Sequence, residues 1–136
     1  MAMKVLAIDL GATNGKIYEV ALKEKLTVKE LKRFRTEGIF LPGRDREHFL
    51  WNLPKFYEEI RSVLESSDAQ AVGIDTWGVD FALFDGKGRL ISLPYHYRDI
   101  RTKGVMEKVL KVVPKEEVYR ETGIQFMEIN TLYQLY

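Results

Sequence analysis

Between Val5 and Val20 the chain reads Val-Leu-Ala-Ile-Asp-Leu-Gly-Ala-Thr-Asn-Gly-Lys-Ile-Tyr-Glu-Val: an apolar run that ends on a carboxylate, turns within a few residues and resumes as strand. Residues 5 to 8 are apolar without alternation, the pattern of a central strand covered on both faces. An ionised Asp9 at the end of such a strand is costly unless a cation or hydrogen-bond donors compensate it. A hydrated magnesium ion would do so. Gly11 and Gly15 allow a sharp reversal and a close approach of backbone N–H groups to phosphate oxygens, and Thr13 and Asn14 add short side-chain donors. As chemistry, this is a phosphate site. An ordinary hairpin turn would explain the glycines but would leave the buried acid without a purpose.

The segment after the turn separates it from other phosphate loops. A Walker loop and a dinucleotide fingerprint each open a helix, whereas Lys16 to Leu22 continues as strand, with Tyr18, Val20 and Leu22 on one face. Strand, D-L-G-x-T-x-G-K, strand resembles the first phosphate motif of the actin, sugar-kinase and heat-shock-chaperone superfamily.

Composition narrows the setting. The 136 residues carry a formal net charge of +1, so no basic footprint points to nucleic acid. The length sustains one core and is short for two domains. With no cysteine there is neither a disulfide framework nor a thiolate metal site. No apolar run approaches the roughly 20 residues that span a bilayer, and a cytoplasmic setting is the default expectation. Abundant Lys and Glu without Cys is a compositional hint of a thermophilic source.

Along the chain, Leu26 to Glu37 reads as a third strand, Pro42-Gly43 as a loop, and His48 to Trp51 as a short edge strand. Asn52 is suited to cap a helix with Pro54 in its first turn. Leu53, Phe56, Tyr57, Ile60, Val63 and Leu64 recur at helical spacing and form a core stripe. Ser66-Ser67-Asp68 ends the helix, and Ala71 to Asp75 returns as a buried strand finishing on an acid. Three strands, a helix and a strand parallel to the first predict α/β architecture, the opening of a ribonuclease-H-like (actin-like ATPase) domain.

A second informative segment is Gly73-Ile74-Asp75-Thr76-Trp77-Gly78-Val79-Asp80-Phe81. Ligands of a parallel α/β sheet collect at the carboxyl ends of strands, which predicts Asp75 close to Asp9. Gly78 leaves room for a ligand to approach backbone, Trp77 offers an apolar wall and Asp80 an acceptor for sugar hydroxyls. A bend between strands with a packed tryptophan is the plainer alternative. Asp85-Gly86-Lys87-Gly88 reads as a hairpin turn.

Together with His96-Tyr97-Arg98-Asp99-Ile100-Arg101-Thr102, Gly123-Ile124-Gln125-Phe126 and Ile129-Asn130-Thr131-Leu132-Tyr133-Gln134-Leu135, these segments resemble, in one order, the rhamnulokinase branch of the FGGY carbohydrate kinases. The chain departs from it at Thr13-Asn14-Gly15-Lys16, where Ser-Ser-Gly-Arg is common; the donors and the charge are kept. The resemblance implies that Gly11, Ala12, Thr13, Asn14, Gly15 and Lys16 bind the phosphates of ATP, that Asp9 acts on Mg2+ through water, and that Gly78 touches the ketose. Asp75, Trp77 and Asp80 are further substrate candidates. Arg98, Asp99 and Arg101 would form a charge network below the sugar, with a purely structural Arg98–Asp99 pair as the alternative. His96 reads as packed rather than catalytic, and His48 carries no signal.

The implied reaction is phosphorylation of L-rhamnulose to its 1-phosphate. Family members are longer, with two such domains, and their general-base aspartate lies beyond this segment, so no residue here is assigned as catalytic. The chain stops inside a pattern: Asn130 resembles a cap, and Leu132, Leu135 and Tyr136 begin an apolar stripe. It therefore reads as a partial N-terminal domain, expected to be inactive alone and prone to self-association. The rival readings are a catalytically inactive sugar- or nucleotide-binding module of the same fold and a structural actin-like element. Trp77 to Asp80 and Tyr97 to Asp99 argue against the latter.

Overall fold

In the computed structural model, which describes residues 3–136, Met3–Leu10 forms strand β1 and Asn14–Leu22 strand β2. They pair antiparallel in a register that sets Asp9 opposite Lys16 and Leu10 opposite Gly15. Strand β3, Leu26–Arg35, pairs with β2 in the same sense. The register shifts between Ile17, opposite Lys32, and Tyr18, opposite Glu30, so Leu31 is left over as a bulge.

Strands β4, Gly38–Pro42, and β5, Glu47–Trp51, form a hairpin. The loop expected at Pro42-Gly43 is therefore the tip of a pairing that the sequence pattern does not reveal, and it is closed by Gly43 N–H donating to the Arg46 carbonyl at 2.8 Å. Helix α1, Leu53–Leu64, comes next, with the Asn52 side chain accepting from Lys55 N–H as predicted. Strand β6, Ala71–Thr76, then runs parallel to β1, giving the order β3-β2-β1-β6. Three antiparallel strands, a helix and a fourth strand beside the first is the topology the sequence pattern predicts.

The chain divides into two compact units, one made of residues up to Ile39 with Trp51–Gly78 and the other of Phe40–Leu50 with Val79–Tyr136. In the first, Leu6, Ile8, Ile17, Phe34, Trp51, Phe56 and Val63 are buried. Side chains of this kind contribute about 1.5–3 kcal/mol each on burial. The helix is tied down over β3 by Lys32, whose ammonium lies 2.7 Å from both Glu59 and the Ser62 hydroxyl.

Several burial expectations fail: of the stripe predicted as core on α1, Phe56 and Val63 are buried, but Tyr57, at 65%, and Leu64, at 43%, are exposed. Val5 and Ala7 are only half-buried, and every residue of β6 is exposed, with Val72 at 49% and Ile74 at 58%. The cause is geometric: α1 packs over β3, at the opposite edge of the sheet from β6. Asp9 is accordingly not a buried acid; its side chain is 49% exposed.

The second unit is loop-rich. Asp85 organises the predicted turn by accepting from the Lys87 and Arg89 backbone N–H groups at 2.9 Å each, with Gly88 at φ +75°. A 3-10 turn, Ile100–Thr102, leads to helices α2, Val105–Val109, α3, Lys115–Thr122, and α4, Thr131–Leu135. Asn130 precedes α4 as predicted, but its amide donates to the Gln125 carbonyl rather than capping the helix. On α4, Tyr133 and Gln134 are buried, and Leu132 and Leu135 are exposed. Among the described residues no helix is long and apolar enough to cross a membrane.

Candidate functional site

The reversal between β1 and β2 is held from two sides. Within it, Gly11 N–H donates to the Asn14 carbonyl at 3.0 Å and the Asn14 amide to the Thr13 hydroxyl at 3.1 Å. From outside, Thr36 donates its N–H to the Thr13 carbonyl at 3.1 Å and its hydroxyl to the Gly11 carbonyl at 2.5 Å. Among the described residues neither Ala12 nor Thr13 donates its backbone N–H to a protein acceptor. Two consecutive N–H groups in a tight turn make an anion-binding concavity.

The glycines serve space rather than reversal, which corrects the expectation from sequence. The glycines with positive φ are Gly88, Gly104 and Gly123, all outside this turn. A Cβ on Gly11 would stand 3.1 Å from the Asn14 carbonyl oxygen, and one on Gly15 would enter the Phe34 ring at 2.4–2.8 Å.

Behind the turn, Lys16 Nζ lies 3.5 Å from Asp9 Oδ2. The β1–β6 register puts Asp75 beside Asp9, on strands about 4.8 Å apart, as the sequence predicts. Val5, Ala7, Asp9, Tyr18, Gly73 and Asp75 line a shallow depression of about 370 Å3. Among the described residues no group of three or more His, Cys, Asp or Glu side chains could hold a metal ion. A half-exposed carboxylate fits Mg2+ that keeps its waters, the ion's usual habit.

At the end of β6, Trp77 is half-buried and stacks on Trp51 at 4.0 Å and 22°. Phe56 stands edge-on to both indoles, at 6.0 and 6.4 Å. Trp77 is therefore packed, as the plainer reading has it, yet not enclosed. Gly78 is exposed, and a Cβ there would meet nothing within 4 Å.

In the second unit Asp80 accepts from Tyr97 N–H at 3.1 Å through Oδ2 and from the Gln134 amide at 2.9 Å through Oδ1. Gln134, inconspicuous in the sequence because it sits in an apolar stripe, also receives both Arg101 amino groups, at 2.7 Å on its carbonyl and 2.6 Å on Oε1. Arg101 lies over the Tyr95 ring at 4.3 Å, and burial lowers its pKa.

Buried Asp99 accepts from Phe49 N–H at 2.6 Å and Arg101 N–H at 2.8 Å, with His48 Nδ1 3.4 Å away. Arg98 covers the Tyr97 ring. The expected charge network is thus a set of separate anchors to backbone, amide and ring, and among the described residues Arg98 and Asp99 form no ion pair with each other, so the structural pair offered as the alternative is not present either. His96 is packed as predicted: it stacks on Phe49 at 4.3 Å, accepts from Arg98 N–H at 3.0 Å, and burial pushes its pKa down to about 4. It is neutral at pH 7.

No family model matches the chain. Among curated proteins it is 41% identical, over 99% of its length, to a rhamnulokinase of Pectobacterium carotovorum subsp. carotovorum (strain PC1), and 39% identical over 98% to one of Mannheimia succiniciproducens. It spans 28% of the length of each of these relatives. Among solved structures, a gluconate kinase from Lactobacillus acidophilus superposes on 99% of the chain with TM-score 0.72 at 11% identity, covering 28% of that chain. A carbohydrate kinase from Novosphingobium aromaticivorans superposes on 96% with TM-score 0.69 at 22% identity, covering 27% of that chain. At these identities the structures establish the fold, the N-terminal part of an actin-like α/β domain.

Proposed function

We propose that the chain, 41% identical to a rhamnulokinase over 99% of its own length, is the part of an FGGY carbohydrate kinase that supplies the phosphate turn and one wall of the sugar site for ATP-dependent phosphorylation of a ketose. The reaction is transfer of the γ-phosphoryl group of ATP to the primary hydroxyl of L-rhamnulose, giving the 1-phosphate. The observation that carries this reading is the turn, where the Ala12 and Thr13 N–H groups have no protein acceptor among the described residues, next to the Asp9–Lys16 pair.

Residues 11 to 16 hold the ATP phosphates through backbone N–H groups, the Thr13 and Asn14 side chains and the Lys16 charge. Asp9 holds Mg2+ through water; when bound, the ion neutralises charge on the phosphoryl oxygens. Gly78 leaves space for the ketose beside the Trp77 indole, with Asp75 as a further contact. Asp80, both of whose oxygens have protein partners, serves the sugar by holding backbone. The general base comes from outside these residues, so the 136-residue chain is inactive alone. We read it as a partial N-terminal ribonuclease-H-like domain of a longer cytoplasmic enzyme.

The second reading is a catalytically inactive sugar- or nucleotide-binding module of the same fold. An amide NMR titration tests the proposal: MgATP shifts the Ala12, Thr13 and Gly15 resonances, and L-rhamnulose shifts those of Trp77 and Gly78. Neither response at saturating ligand overturns it.

A further inference from the structure

Thr36 lies one residue beyond β3, far in sequence from the turn, yet is 1% exposed and hydrogen-bonds to that turn twice. Its hydroxyl takes the Gly11 carbonyl at 2.5 Å and its N–H the Thr13 carbonyl at 3.1 Å. The Gly11 carbonyl shares a peptide plane with the Ala12 N–H, and in a trans peptide the two point in opposite directions. Fixing the carbonyl toward Thr36 therefore aims the Ala12 N–H away from it. A β-branched side chain has few χ1 options, so the hydroxyl is held on its acceptor. We propose that Thr36 is a positioning residue for the phosphate turn, setting the direction of the Ala12 N–H. The inference rests on the proposed reading of that turn as the ATP-phosphate site.

Thr36 itself contacts neither ligand. Its effect runs through one carbonyl, so losing the hydroxyl should weaken phosphate binding and leave the sugar wall alone. Thr36→Val keeps the shape and removes the donor. The test compares MgATP and L-rhamnulose titrations of the wild-type chain, Thr36→Val and Thr36→Ser by amide NMR, reading Ala12, Thr13 and Gly78.

The valine variant should need on the order of tenfold more MgATP for the same Ala12 shift, the worth of one hydrogen bond. The serine variant, which keeps the donor but not the β-branch, should lie much closer to wild type than to valine, and all three should respond equally to L-rhamnulose. Should valine prevent folding, Thr36→Cys, with a weak S–H donor, replaces it and should fall below serine. Equal MgATP affinity for the donor-lacking and donor-bearing variants, or an equal loss toward both ligands, overturns the inference. A wild-type chain whose Ala12 and Thr13 ignore MgATP while Gly78 answers L-rhamnulose overturns the phosphate reading itself, and with it the assignment to Thr36.

Discussion

Phe34 occupies the space that a side chain at position 15 would need: a Cβ on Gly15 would stand 2.4 Å from Phe34 Cζ. Both residues are buried, so the ring has little freedom to retreat. Gly15→Val should cost about 1–3 kcal/mol, the usual penalty of overpacking, and lose MgATP binding with it. Adding Phe34→Leu should recover a good part of the stability in urea denaturation. A valine variant as stable as wild type would show that the ring does not dictate the glycine.

The two tryptophans of the chain, Trp51 and Trp77, are the stacked pair. Their indoles should give a coupled circular-dichroism band that either single substitution to Phe removes. Trp51, 1% exposed, should cost about 3–5 kcal/mol when cut to Ala, the range for large buried aromatics. Half-buried Trp77 should cost less by thermal unfolding. Equal costs would contradict the packing described.

His96 should make the fold acid-sensitive in a defined window. Its pKa in the folded chain is about 4, below the ordinary 6.5, because burial disfavours the charged ring. Above pH 6.5 the ring is neutral whether folded or unfolded, and the stability is fully present. As pH falls toward 4 the unfolded chain takes up the proton first, and roughly 3 kcal/mol is lost. His96→Asn should flatten the change in stability between pH 7 and 4.5 relative to wild type. An unchanged slope would assign the acid sensitivity to other groups.

Strand β6 presents Ala71-Val72-Gly73-Ile74-Asp75-Thr76 at the sheet edge, all exposed, with one charge and no proline. Such an edge is open to pairing with another strand. An antiparallel pair of two copies centred on Gly73 would set Val72 against Ile74 and keep the two Asp75 carboxylates at opposite ends. We expect the 136-residue chain to self-associate in sedimentation, and Ile74→Lys to return it to monomer. A monomeric wild-type chain at high concentration would argue against this.

Much of the fold is legible in the sequence because its features are local. The strand, turn and strand from Val5 to Val20, the Asn52 cap, the helix α1 and the Asp85 turn each depend on neighbouring residues. The features that escape depend on distance along the chain. Thr36 carries no pattern, and only the fold brings its hydroxyl to Gly11. The β4 strand is hidden by Pro42-Gly43, which marks its end instead of a longer loop. Burial of β6 is misjudged because an apolar strand reads as central, whereas the topology leaves it at the edge. Asp80 reads as a ligand acceptor and Asp99 as part of a charge network, and the partners of both prove to include backbone N–H groups that no local pattern reveals.

The central claim is that these residues form the phosphate turn and sugar wall of a ketose kinase. It is tested most directly by grafting them in place of the matching segment of the Pectobacterium rhamnulokinase, 41% identical over this stretch, and measuring ADP release with MgATP and L-rhamnulose. The expected result is a chimera that turns over L-rhamnulose, and in which Gly78→Leu raises KM for the sugar much more than for ATP. A chimera that folds and binds both ligands yet releases no ADP would contradict the claim.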